Sequence, residues 1–196
     1  MTHPTPTPPD NAPTPPQERP AQERGRRRRA ALLQAAVHLL TEGGFAAVSH
    51  RAVAQRADLP LAATTYYFAS RDQLLTEAFA QLVDDELAET RAAIARHGLT
   101  HLATHIAADR NRQLGLWELY VHAGRDPALQ QIARRWTDGC VATVADALGL
   151  PPDDTRTRLL YTTISALWLE HVVEQRPLHE SQTLLEAAVK MCSHPQ

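Results

Sequence analysis

The sequence predicts an all-α protein, and three observations carry that prediction. Apolar residues make up 43% of the 196 positions, and alanine and leucine, both strong helix formers, dominate them. Glycine is scarce and β-branched runs are absent, so nothing favours strands. From Leu32 onward apolar residues recur at three- and four-residue spacing, the period of a helix with one buried face.

The chain opens on residues 1–24, which hold eight of the fourteen prolines and almost nothing apolar. Such a segment buries too little surface to offset its own ordering, so it is expected to be a disordered arm. A proline-binding partner protein is the functional alternative for it. Gly25 and four arginines then lead into a helix over Ala30–Glu42, with Leu32, Leu33, Ala36, Leu39 and Leu40 on one stripe. Gly43-Gly44 ends it. Arginines are disfavoured at a helix start by the macrodipole, so Arg27 and Arg28 are expected to be there for phosphate.

Ser49 can cap a short second helix that carries Val53, Ala54 and Ala57. Asp58-Leu59-Pro60 breaks it, and proline suits the first turn of the next helix, Leu61–Tyr67. That helix is small, hydroxyl-rich and aromatic at its end. It is poorly made for a core and well made for a DNA major groove. Ser70 with Gln73 forms a capping box for a long helix through Leu74, Phe79, Leu82, Leu87 and Ile94 to His97, where Gly98 stops it. Helices follow over Leu99–Asp109 and Arg112–Ala123. Asp126-Pro127 starts another that runs to Leu148 and ends at Gly149. Thr155 to about Gln175 is the next, and Ser181 is expected to start the last.

Net charge is only −2, but its distribution is uneven: residues 24–75 carry +5 and residues 76–196 carry −5. A basic module joined to an acidic one suits a DNA-contacting part and a part with another task. No apolar run approaches the ~20 residues of a membrane helix, and no signal peptide is present, so a cytoplasmic chain without membrane contact is expected. Cys140 and Cys192 lack metal-type spacing and read as reduced, packed thiols. No nucleophile–base pair, phosphate loop or metal set stands out, so an enzyme is disfavoured and no cofactor is called for.

Ala35-Ala36, Leu39-Leu40, Glu42, Gly44-Phe45, Val53-Ala54, Ala57, Tyr66-Tyr67-Phe68 and Ser70-Arg71-Asp72-Gln73-Leu74 fall in order without gaps. Over residues 26–75 this resembles the TetR-like (TetR/AcrR) family of one-component transcriptional repressors. The chain departs from the family pattern at Asp58, Pro60, Leu61, Ala62, Thr64 and Thr65, where glycine, serine, lysine, glycine, leucine and tyrosine are usual. The resemblance implies an N-terminal three-helix helix-turn-helix DNA-binding domain over 25–70 and a C-terminal helical ligand-binding and dimerisation domain over 71–196. It implies a homodimer placing Leu61–Tyr67 of each copy in successive major grooves of a pseudo-palindromic, double-stranded operator. Half-sites then lie about 34–36 Å apart, or a multiple of that. Thr65 and Tyr66 would reach bases or phosphates. Ser49, Tyr67 and Arg71 would contact phosphates, and Ala63 a thymine methyl, with His50, Leu61 and Thr64 completing the DNA face. Core packing is the alternative for Tyr67 and the preferred reading for Phe68.

The resemblance also implies a cavity for a small-molecule effector. Candidate lining residues are His101, His105, Trp117, Tyr120, His122, Trp136, Tyr161 and Trp168, for which plain core packing is the alternative. His101 and His105 could share a helix face and bind a metal, but no neighbouring ligand completes a site and no metal is expected. Apolar faces on the last two helices, with Leu159, Leu160, Ile164, Leu167, Val172, Leu184, Leu185 and Val189, are expected to form a four-helix dimer interface. The function expected is a ligand-responsive regulator, a repressor released from its operator by a small apolar or aromatic molecule. Control by a protein partner or a metal ion is the alternative.

Overall fold

A computed structural model describes residues 18–193, and the expectation for residues 1–17 of the proline-rich arm lies outside them. Helix α1 (Glu18–Ala47) starts earlier than the sequence suggested: residues 18–24, assigned to the arm, are helical. Glu23 and Arg27 pair one turn apart, which supports this extension of the helix toward its N-terminus. Gly44 breaks α1 near its end with φ 66° and ψ −164°, a conformation that only glycine adopts without strain.

Helix α2 (His50–Arg56) is capped by Ser49, whose hydroxyl accepts from the Ala52 N–H at 3.2 Å. Helix α3 (Leu61–Tyr67) follows Pro60, and Asp58 makes the turn with φ 52°. Helix α4 (Arg71–His97) carries the capping box: the Gln73 N–H donates to the Ser70 hydroxyl at 3.1 Å, and the Gln73 amide oxygen accepts from the Ala69 N–H at 2.8 Å. The helix expected over Leu99–Asp109 is divided into a 3-10 turn, Leu99–His101, and α5 (Leu102–Ala107).

Next come α6 (Arg110–Ala123) and α7 (Pro127–Leu148), the latter capped by Asp126 and stopped by Gly149 at φ 67°. They are followed by α8 (Thr155–Glu174) and α9 (Leu178–Ser193). Helix α9 begins before Ser181 because the Pro177 carbonyl already accepts from the Glu180 N–H at 3.0 Å, and Ser181 is buried inside the helix.

Among the described residues there is no strand, and no helix is long and apolar enough to cross a membrane. The interior forms two clusters. One joins Leu32, Leu40, Val53 and Phe68 to Phe79 of α4, Leu116 and Leu119 of α6, and Trp136 of α7. The other gathers Ile94, Leu102, Ile106, Val144, Leu160 and Leu185. The first cluster crosses residue 70, so the basic helices share their core with the acidic part, and α1 rests on α4 and α6.

Candidate functional site

Helix α3 has two unlike sides. Leu61 is 51% exposed and Tyr66 81% exposed, and Ala62 and Thr65 are exposed beside them. On the other side Thr64 and Phe68 are fully buried. Thr64 was expected at the DNA. Its hydroxyl instead donates to the Leu61 carbonyl at 2.7 Å and lies 3.3 Å from the His50 carbonyl, so it ties α3 to α2. Burial makes it a structural hydroxyl. Ala63 and Tyr67 are half-buried and pack against the first core cluster, with the Tyr67 hydroxyl beside Gly25 of α1. Phe68 is core, as preferred, and Arg29 lies 5.3 Å over its ring while pairing with Glu77.

The other candidate DNA residues divide in the same way. The Ser49 hydroxyl accepts the α2 cap bond and keeps its own proton for a further acceptor, and His50 is half-buried with Nδ1 unpartnered. Arg71 reaches back across the turn, donating from Nε to the Val48 carbonyl at 2.7 Å and from its terminal nitrogen to the Phe45 carbonyl. It is therefore a clamp between the head of α4 and the end of α1, and its side chain is still exposed. Arg27 and Arg28 are exposed on α1, Arg27 pairing with Glu23. Arg51 of α2 is exposed, and among the described residues neither Arg28 nor Arg51 is in an ion pair.

The acidic part holds a cavity of about 250 Å³ between α4, α5, α6, α7 and α8. Trp117, Tyr120, Trp136 and Trp168 form a closed circuit of rings along its wall. Neighbouring centroids are 5.0 to 5.7 Å apart, three of the four contacts edge-to-face. The indole N–H groups of Trp117 and Trp168 are buried without an acceptor. Tyr161 also lines the cavity, and burial raises its phenol above the ordinary tyrosine value. Cys140 lies on the same wall, its thiol pushed up to about 12 chiefly by burial, so it is neutral.

Five of the eight candidate lining residues are thus at the cavity. The three histidines are not. His101 lies tilted against His97 with ring centroids 4.5 Å apart, and His122 stacks on Phe45 of α1 at 4.1 Å. His105 lies behind the wall with Nε2 3.9 Å from Glu86. Histidine type alone did not say which way each ring faced. Glu86, which lines the cavity and is only 5% exposed, escaped the sequence reading. Its oxygens accept from Arg112 at 2.9 Å and Gln113 at 3.2 Å. Burial opposes the Arg112 charge, but the Glu86 bond and the carboxylates of Glu86, Glu89 and Asp85 outweigh it and raise the guanidinium above its ordinary value. Its register was the available signal: Glu86 follows Leu82 by four residues and Val83 by three, on the apolar stripe of α4, whereas Asp84 and Asp85 fall off that stripe. Among the described residues no group of three or more His, Cys, Asp or Glu could hold a metal ion.

Helix α6 separates this cavity from the basic part. At 100° per residue, Trp117 and Tyr120 share one side, and Gly115, Glu118 and His122 share the opposite one. On that second side the backbones of α1 and α6 nearly touch: a Cβ at Gly115 would stand 3.3 Å from the Leu40 carbonyl. Glu118 accepts from the Phe45 N–H at 3.2 Å, and any side chain at Gly44 would collide with its carboxylate.

Residues 32–78 match the family model described as bacterial regulatory proteins, tetR family, and residues 89–192 match the tetracyclin repressor-like C-terminal domain. The chain is 28% identical over 161 residues to the HTH-type transcriptional repressor KstR of Rhodococcus jostii (strain RHA1), covering 74% of this chain and 71% of that protein. A crystal structure of a transcriptional regulator from Streptomyces coelicolor A3(2) superposes with a TM-score of 0.71 at 31% identity, covering 85% of this chain and 99% of that one. The multidrug binding protein EbrR, crystallised with ethidium, superposes with a TM-score of 0.65 at 28% identity, covering 82% of this chain and 98% of that one. EbrR has also been crystallised with imidazole, proflavin and malachite green.

Proposed function

The chain belongs to the TetR family of bacterial regulatory proteins, DNA-binding transcription factors and not enzymes, and on that footing we propose that it is a repressor released from its operator by a flat aromatic molecule. The observation that carries this reading is the two-sidedness of α6: an aromatic cavity on one side, a seam without slack against α1 on the other. The cavity is slightly smaller than the ~300–1,000 Å³ of typical ligand pockets. A ligand of several fused rings, like those crystallised in EbrR, has to widen it and so displace α6. Glu118 and the Gly115 contact pass that displacement to the Gly44–Phe45 turn. Arg71 holds the carbonyl of Phe45, so the head of α4 and helices α2 and α3 follow. The ligand acts by favouring one of two arrangements, and its leverage is the difference in its affinity for them.

In this reading the protein is a cytoplasmic homodimer. Of the residues the sequence offered for the dimer face, Leu160, Ile164, Val172 and Leu185 are instead buried in the second cluster, because α8 and α9 pack on each other within the chain; Leu159, Leu169 and Val173 of α8 and Leu184 and Met191 of α9 are exposed, between 40% and 75%. Single exposed apolar side chains are ordinary, but these recur at helical spacing on two adjacent helices, which supports a face covered by a second copy. Exposed α3 and Arg28 and Arg51 then meet successive grooves of one duplex.

The test is fluorescence anisotropy of the full chain on DNA from its own upstream region and on sequences selected from a randomised pool. Binding is expected to be sequence-specific and salt-sensitive, and to fall as ethidium or proflavin is added. Absence of any sequence-specific binding overturns the regulator; binding indifferent to every aromatic ligand tried overturns the release mechanism.

A further inference from the structure

We propose that α3 reads its operator through thymine methyl groups, with Leu61 and Ala62 setting the preference; this rests on the reading that α3 lies in the major groove. Each base has its own partner there. Six long or charged side chains carry the base-specific pairings: arginine or lysine with guanine, asparagine or glutamine with adenine, and aspartate or glutamate with the cytosine amine; the short hydroxyls of serine and threonine discriminate less, and thymine offers a C5-methyl to apolar side chains. None of those six side-chain types occurs in α3, Leu61–Tyr67.

The exposed positions narrow the choice further. Leu61 and Ala62 are purely apolar. The Thr65 hydroxyl donates to the Ala62 carbonyl at 3.2 Å, so it faces a base as an acceptor only, with its methyl beside it on the open face. Tyr66 adds one phenol at the end of α3. Two guanidinium groups beside the turn are already engaged within the chain: Arg56 pairs with Glu42, and Arg71 holds the Val48 and Phe45 carbonyls, which leaves Arg51 of α2 as the unpaired one there, among the described residues. Ala63, the sequence's candidate for a methyl contact, packs against the core, and Leu61 and Ala62 take its place on the open face.

The resulting division of labour is simple. Arg28 and Arg51 supply charge for phosphates, which positions the protein without reading sequence. The apolar face of α3 supplies preference by removing methyl surface from water. Each contacted methyl is expected to be worth about fourfold in affinity, the value of one buried carbon.

The experiment starts from a half-site selected by the full chain from randomised DNA. Affinity is then measured on that duplex and on the same duplex with deoxyuridine in place of thymidine, first within the half-sites and then only outside them. Loss is expected within the half-sites, about fourfold per contacted methyl, and none outside. Leu61→Ala, with its fold checked by thermal melting, is expected to shrink the thymidine-to-deoxyuridine ratio. Arg51→Ala is expected to weaken both duplexes alike. Equal affinity for the two duplexes, or a selected half-site fixed only in G·C pairs, overturns this proposal and leaves the regulator standing. Failure to select any sequence overturns both.

Discussion

The two sides of α6 differ in how much room they leave. Against α1 the helix is seated on backbone: Gly115 lies against the Leu40 carbonyl, and Glu118 fills the space beside Gly44. Toward α7 and α8 it borders an open cavity with two unanswered indole N–H groups. Packed interiors transmit displacement because they have no slack, whereas a cavity is where a displacement can be introduced. In the proposed reading, the contrast puts the input and the output of the switch on opposite sides of one 14-residue helix.

The largest expected effect tests whether the open side is open throughout. Trp136 belongs to the cavity wall and is also 4% exposed within the core that supports α1. Trp136→Ala is expected to cost about 3–5 kcal/mol in chemical denaturation, as for a buried aromatic. A cost under about 1 kcal/mol makes that ring a mobile lining and blurs the contrast.

Gly115→Val probes the tight side. Its Cβ meets backbone, which cannot rotate away, so about 1–3 kcal/mol of stability is expected to be lost, together with operator affinity. Unchanged melting and DNA binding rule out a seam without slack.

Glu118→Ala removes one hydrogen bond to the Phe45 N–H, worth about 1 kcal/mol. Aromatic ligand affinity is expected to persist while ligand-driven release of DNA weakens, measured by anisotropy on one sample. Full release in this variant assigns the coupling to Gly115 alone.

The smallest effect concerns Cys140. Its folded value stands above the ordinary 9, at about 12, so the fold favours the protonated thiol. The associated stability is present below about pH 9 and is lost as pH rises from there toward 12. Maleimide labelling at pH 8 is expected to be slow in the native protein and fast after unfolding, and slower still with ligand in the cavity. Rapid native labelling makes the cavity wall accessible in a way its packing contradicts.

Much of the fold was legible because it is written locally. Ser49, Ser70 and Asp126 satisfy backbone N–H groups within three residues of themselves, so no distant partner is needed to predict them. Helix α3 appeared with the bounds its proline and its tyrosines implied. The division of its residues was harder. Thr64 lies four positions before Phe68 and therefore on the same face, so placing Phe68 in the core already implied burial of Thr64. Its hydroxyl hid the inference, since a polar side chain suggests exposure until a carbonyl such as that of Leu61 or His50 is found to receive it.

The sequence by itself determined most of the helices, the caps at Ser49, Ser70 and Asp126, the basic and acidic halves, the family, and the aromatic residues available for a cavity. Those follow from local backbone bonding, hydrophobic period and residue type. Only the tertiary structure decided which side chains face one another. Arg71 became a clamp because the turn at Phe45 comes within its reach, and Glu86 became cavity wall because Arg112 and Gln113 arrive from another helix to receive it. His101 and His122 were turned away from the cavity by rings on neighbouring elements. Each of those outcomes depends on a partner brought near by packing, and distance in the chain carries no record of it.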